Sequence, residues 1–305
     1  MIDEFLTYLR VEQRMSPNTV EAYGRDLRQF AAWLCTADKA FDAQSVTVAD
    51  IRAWIGSLAD EGNSAPTLRR KAQSLRAFFR WGMRRRGFTA NPAADITLAK
   101  KRRKLPNFIR EDEMEEILAA EETGFTSRRT HLILSMLYSL GLREAELIGL
   151  TDADIDLHRG ELRVTGKRDK QRVVPVPEEL CREIADWQKT RDSRYRDLPM
   201  PRPLIAGPHG RVSKQTVYRA VRDGLTGATS GRKSPHTLRH TFATAMINNG
   251  ADLDAVREML GHSSIATTQI YTHLSFRELL DNYRLGHPRS HTPDSAAKEE
   301  DERRK

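Results

Sequence analysis

The chain has 305 residues, 39% hydrophobic and 30% charged, with a net charge of +8 and two cysteines. That length holds two domains, while no apolar run approaches the roughly 20 residues of a membrane span. The opening MIDEFLTYLRVEQR is an amphipathic start and not a signal peptide, and the lone thiols Cys35 and Cys181 form no CxxC and suit packing roles in a reducing cytosol.

The charge is unevenly spread. Residues 1–106 carry 19 Lys+Arg against 11 Asp+Glu, whereas residues 107–305 carry 31 of each. Between residues 69 and 104, 13 basic residues meet a single acid, Asp95. Such a concentration points to a polyanion, nucleic acid foremost, bound by the first third of the chain.

After the amphipathic start, Ser16 and Pro17 suit a helix N-terminus. Val20, Tyr23, Leu27, Phe30 and Leu34 then recur at helical spacing, predicting a helix over 16–34. A further helix is predicted from Val48 to Gly62, and another over 65–87. In the last, Leu68, Ala72, Leu75, Phe79 and Met83 form an inward stripe beside a basic stripe of Arg69, Arg76, Arg80 and Arg84. These four arginines are the candidate DNA-backbone contacts. Residues 91–106, NPAADITLAKKRRKLP, read as a basic linker with proline near each end.

Beyond it, RTHLILSMLYSLG (129–141) predicts a buried helix stopped by Gly141, and 142–150 begins another. GELRVTGKRDKQRVVPVP (160–177) alternates and turns through a basic tip, predicting a β-hairpin. Helices are expected again near 178–190, 213–225, 237–248 and 252–260, with Leu253, Val256 and Leu260 inward in the last. Residues 275–288 carry another stripe, Phe276, Leu279, Leu280 and Tyr283, and from Ser290 onward the polar composition predicts disorder. The expected architecture is mainly α, with a small N-terminal helical domain and a larger, mostly helical domain containing one small antiparallel β element.

Phosphodiester transfer without a metal needs a nucleophile, cations on the non-bridging oxygens and an acid for the leaving oxygen. His236 and Arg239 stand three apart at a helix N-terminus and are expected on a more exposed arc, where backbone N–H groups favour an anion. A zinc site on His236 and His240 is disfavoured, since position 237 is Thr where the zinc-protease pattern has Glu. Gly261 caps the preceding helix, so His262 leaves at a fixed turn. Ser263 or Ser264 is placed to cap the next helix, which carries Tyr271 nine residues after His262.

Taken together, these segments resemble the tyrosine recombinases, and among them the bacterial Xer-type dimer resolvases. SPNTVEAYGRDLRQFAAWL resembles the start of a SAM-like DNA-clamp domain, and GLREAELIGL the first arginine box, with Arg143 and the supporting acid Glu146. VTGKRDKQRVVPVP resembles the lysine hairpin, HTLRH the His-x-x-Arg box and LGHSSIATTQIYTH the last box; HPR at 287–289 is similar to the end of many Xer proteins.

The resemblance implies catalytic roles for Arg143, Lys167, His236, Arg239, His262 and the nucleophile Tyr271. Lys170 is the alternative to Lys167, because Arg168 stands where the family often has Gly. It implies a four-helix clamp (1–90), a linker (91–107), a catalytic domain (108–288) and a charged tail (289–305). It also implies a cytoplasmic enzyme that needs no metal or cofactor. Its partner is a double-stranded DNA site, on which it forms a homotetramer or a heterotetramer with a paralogue, the C-terminal segment docking into a neighbouring subunit. A phage or mobile-element integrase would use the same site, and such enzymes often have an extra N-terminal arm domain. A non-catalytic DNA-binding regulator would be expected to have lost at least one of the six positions.

Overall fold

The computed structural model describes residues 1–36, 42–97, 108–166, 170–229, 232–261 and 276–290. Two compact units divide the chain, Met1–Lys104 and Leu105–Lys305. The first contains α1 (Ile2–Val11), α2 (Pro17–Thr36), α3 (Val48–Asp60) and α4 (Ala65–Arg85). Ser16 accepts from the Thr19 N–H at the start of α2. Thr47 and Asp50 form a reciprocal cap at α3, with bonds of 3.2 and 2.9 Å. Phe5, Leu27, Phe30, Trp54, Leu75, Phe78 and Phe79 fill the core between the four helices, Phe5 meeting Phe78 edge-on at 5.5 Å.

Two expectations for this unit change. Met83 is 46% exposed, because the buried face of α4 runs through Phe78, Trp81 and Gly82 and leaves residue 83 at its edge. Residues 91–97, read as the start of a linker, instead turn back onto the unit. Ala93 and Ile96 are buried in its core, and Asn91 fastens the turn by accepting from the Ala93 N–H at 3.0 Å.

The second unit contains α5 (Glu111–Leu118), α6 (Phe125–Leu140), α7 (Glu144–Gly149), β1 (Ile155–Asp156), β2 (Glu161–Thr165), β3 (Gln171–Pro175) and α8 (Glu178–Arg194). The chain continues through β4 (Ala206–Gly207), β5 (Gly210–Arg211), α9 (Lys214–Gly224), α10 (Pro235–Asn248), α11 (Leu253–Leu260) and α12 (Phe276–Gly286). Buried on every side from Leu132 to Leu140, α6 sits at the centre and packs against α8, α9 and α10. The expected hairpin is β2–β3, extended by β1 into a three-stranded antiparallel sheet in which Leu162 lies opposite Val174 and Val164 opposite Arg172. Leu253 is 46% exposed; the inward face of α11 is Ala255, Val256, Met259 and Leu260.

The stripe on α12 seats on its own unit. Leu279 and Tyr283 pack with Phe242, Met246 and Val256, so within the single chain this surface is already occupied. Arg289, assigned to the tail, also belongs to the fold: it donates to Glu183 at 2.5 Å and to Ser135 at 3.1 Å. Residues 291–305 lie outside the described residues.

A buried charge joins α2 to α4. Asp26, 1% exposed, accepts from Arg70 and from Lys71, itself 6% exposed, the latter at 3.4 Å. Replacing Asp26 with Ala leaves the Lys71 ammonium without its carboxylate, a loss of about 3–5 kcal/mol. Urea unfolding of Asp26→Ala should show that drop, and adding Lys71→Met should recover most of it.

Candidate active site

The first turn of α7 is built around Glu146. Arg143 precedes the helix, and its backbone N–H donates to Glu146 Oε2 at 2.9 Å. The Arg143 side chain folds over the same turn, Nη1 donating to Glu146 Oε1 at 2.6 Å. From β3, Arg172 grips the carboxylate with both arms, Nη1 to Oε1 at 3.0 Å and Nη2 to Oε2 at 2.8 Å. From α10, Arg239 Nη1 approaches Oε2 to 3.9 Å. Burial alone would raise the Glu146 pKa, yet the Arg172 fork and charge, with the Arg143 N–H and guanidinium, hold it down to about 2. Three guanidinium groups around one carboxylate leave an excess of two positive charges.

The same three arginines bind the end of α11. Arg172 Nε donates to Met259 O at 2.6 Å, Arg239 Nη2 to Leu260 O, and Arg143 Nη2 to Gly261 O at 3.0 Å. These carbonyls end a helix, where the backbone dipole is negative and has lost its internal donors. Gly261 adopts φ 62°, and a Cβ there would lie 3.1 Å from Arg172 Nη1, so glycine suits both the turn and the contact. The next residue is His262. His262, Tyr271 and Lys167 lie outside the described residues, but the segments leading to them begin at this cluster. Gly166, just before Lys167, donates its N–H to Lys170 O at 2.8 Å. A Cβ on it would sit 3.7 Å from Glu146 Oε1.

Arg239 differs from the sequence expectation. It is 6% exposed, because its guanidinium turns inward to Gly141 O at 2.6 Å and to Leu260 O. Burial, then the charge of Arg143, lowers its pKa to about 10, against the pull of Glu146; it stays a cation at neutral pH. His236 is exposed on the first turn of α10, which starts at Pro235, two residues before the expected start, with Ser234 as its cap. Its Nε2 lies 3.0 Å from that of His240. Partial burial, then His240, Arg239 and Arg232, lowers its pKa below the ordinary imidazole value, favouring a neutral ring that accepts a proton.

Two tyrosines of this unit, Tyr138 and Tyr283, are sealed in the interior, and burial pushes their phenols well above the ordinary range. Neither is available to attack a phosphate.

In the first unit, Arg80 and Arg84 are exposed along α4 and Arg69 is half-buried. Arg76, expected beside them as a phosphate contact, is half-buried and engaged within its own unit. Its Nε donates to Ala93 O at 3.0 Å and its Nη2 to Ile96 O, so it fastens the 91–97 turn.

Comparison with known proteins places both units. The phage integrase N-terminal SAM-like domain matches residues 2–86, and the phage integrase family matches residues 107–278. Tyrosine recombinase XerD of Oceanobacillus iheyensis is 35% identical over 292 residues, covering 95% of this chain and 98% of its own. Tyrosine recombinase XerC of Corynebacterium efficiens is 37% identical over 292 residues, covering 95% and 91%. In fold, the XerH site-specific recombinase bound to its difH substrate aligns with a TM-score of 0.68 at 21% identity, over 92% of this chain and 83% of that one. A lambda integrase dimer bound to a core site aligns at 0.65 and 19% identity, over 90% and 98%. The chain belongs to the phage integrase family, the tyrosine recombinases, and within it to the XerC/XerD type of site-specific recombinase.

The depressed Glu146 pKa sets a pH window for stability. A folded value of about 2 against an ordinary 4.5 means that ionised Glu146 stabilises the fold fully above about pH 5, by roughly 3 kcal/mol. The contribution fades as pH falls toward 2. The stability gap between the wild type and Glu146→Gln, measured by denaturant unfolding, should therefore narrow from pH 5 downward.

Proposed function

We propose that this recombinase cuts and rejoins double-stranded DNA through a covalent bond from Tyr271 to a 3′ phosphate, needing neither metal nor ATP. The observation that carries this reading is the excess of two positive charges around Glu146, held against the turn that leads to His262. A phosphodiester brings one negative charge and its pentacoordinate transition state two, so the cluster matches the charge that develops.

In this mechanism, Tyr271 Oη attacks phosphorus as its proton passes to His236. The bond from phosphorus to the 5′ oxygen breaks, and Lys167, or Lys170 beside it, protonates the leaving oxygen. Arg143 and Arg239 take the non-bridging oxygens, and His262 donates a further hydrogen bond. The products are a 3′-phosphotyrosine and a free 5′-OH. The 5′-OH of a second duplex then attacks the phosphotyrosine, restoring the tyrosine and making a Holliday junction, which a second round resolves. Bond energy is conserved in the ester, and this is why no nucleotide is consumed.

The full reaction takes four subunits on two recombination sites, as a homotetramer or with a paralogous partner, in the cytoplasm. Its biological use is the resolution of chromosome or plasmid dimers. Arg69, Arg80 and Arg84 on α4 hold the DNA backbone, with Arg76 relieved of that task by its carbonyl partners.

Tyr271→Phe removes one oxygen from the chain. It should bind DNA like the wild type but leave no protein attached to a nicked suicide duplex on a denaturing gel. Persistence of the attached band in the variant would move the nucleophile elsewhere.

A further inference from the structure

Arg172 has no part in the chemistry proposed above, yet it is the residue most tightly engaged with Glu146. On β3 it stands opposite Val164, on the sheet face that Val164 and Val174 bury in the core. Its side chain is 10% exposed, against 41% for Arg143 and 8% for Arg239, whose Nε, unlike that of Arg172, has no partner among the described residues. Nε, Nη1 and Nη2 all have inward partners: Met259 O at 2.6 Å and the two Glu146 oxygens at 3.0 and 2.8 Å. Nothing in this geometry offers Arg172 to DNA.

We propose that Arg172 is a positioning residue for strand cleavage, which takes up the charge of Glu146 so that Arg143 and Arg239 keep theirs for the scissile phosphate. This rests on the recombinase reading above. Without Arg172, the carboxylate's nearest cation is Arg143, already 2.6 Å away. The pair closes on itself, and the excess charge facing the phosphate falls from two to one. Met259 O also loses its donor beside the turn into His262. Cleavage slows, while DNA affinity, carried by cations elsewhere, is kept. Removing the carboxylate's charge as well restores the excess of two, so a second loss should repair the first. A residue that merely filled space would show no such repair.

The test compares Arg172→Gln, Glu146→Gln and the double variant on a suicide duplex that the wild type cuts, with DNA affinity measured alongside. Arg172→Gln should bind within about twofold of the wild type and cleave on the order of 100-fold more slowly. The double variant should cleave at least about tenfold faster than Arg172→Gln. A double variant no faster than Arg172→Gln, or an Arg172→Gln that cuts at the wild-type rate, overturns the proposal. If Arg172→Gln does not fold, Arg172→Met takes its place, since it keeps an unbranched apolar stem and loses the charge. Slower cleavage at unchanged affinity then supports the role, and the wild-type rate overturns it. If the wild type itself never becomes attached to DNA, the recombinase reading fails, and thermal melting still tests the charge balance. A double variant that loses less than the sum of both single effects supports the balance; one that loses the full sum or more overturns it.

Discussion

The carboxylate of Glu146 draws together guanidinium groups from three distant parts of the chain: the start of α7, strand β3 and helix α10. Arginines held this close repel one another, and the anion between them makes the arrangement stable. Three positive charges on one negative would still be costly to bury if water were their only other solvent. Backbone carbonyls take its place. Gly141, Met259, Leu260 and Gly261 each accept from one of the three arginines, so every guanidinium donates to a helix end, and those of Arg143 and Arg172 to the carboxylate as well.

That solution ties the chemistry to the fold. The accepting carbonyls belong to the last turn of α11 and to the left-handed turn after α6, both closed by glycine. The cations cannot shift without loosening those turns, and the turn after α11 is where the chain departs for His262. Charge, backbone geometry and the point where the chain leaves for His262 are therefore fixed by one set of hydrogen bonds and ion pairs. The cluster keeps its excess positive charge because only one carboxylate lies within ion-pair distance of it among the described residues.

Much of this was legible in the sequence. In the first unit, α2 follows the spacing of Leu27 and Phe30 and α4 that of Leu75 and Phe79, and the hairpin follows the alternation of Leu162 and Val164. Stripe edges misled: Met83 and Leu253 sit one helical step from buried neighbours and face outward. The acidic run of α5 hid a helix, and two-residue strands such as β4 and β5 are too short to show a period. Arg143 and Arg239 were found by their motifs, but the burial of Arg239 was not, since its partners Gly141 and Leu260 are 98 and 21 residues away in sequence. Arg172 was missed altogether. Its signal was the period of β3, which puts residue 172 on the same face as the buried Val174, where an arginine needs an anion.

The central claim is that Arg143 and Arg239 act by neutralising charge on the scissile phosphate. It is tested most directly with a substrate whose scissile group carries a methyl in place of one non-bridging oxygen, making that group neutral. Cleavage by Arg143→Ala and Arg239→Ala is measured on this duplex and on the ordinary phosphodiester. The account predicts variants severely impaired on the phosphodiester and substantially restored on the neutral group, with covalent attachment still at Tyr271. Equal impairment on both substrates would contradict it.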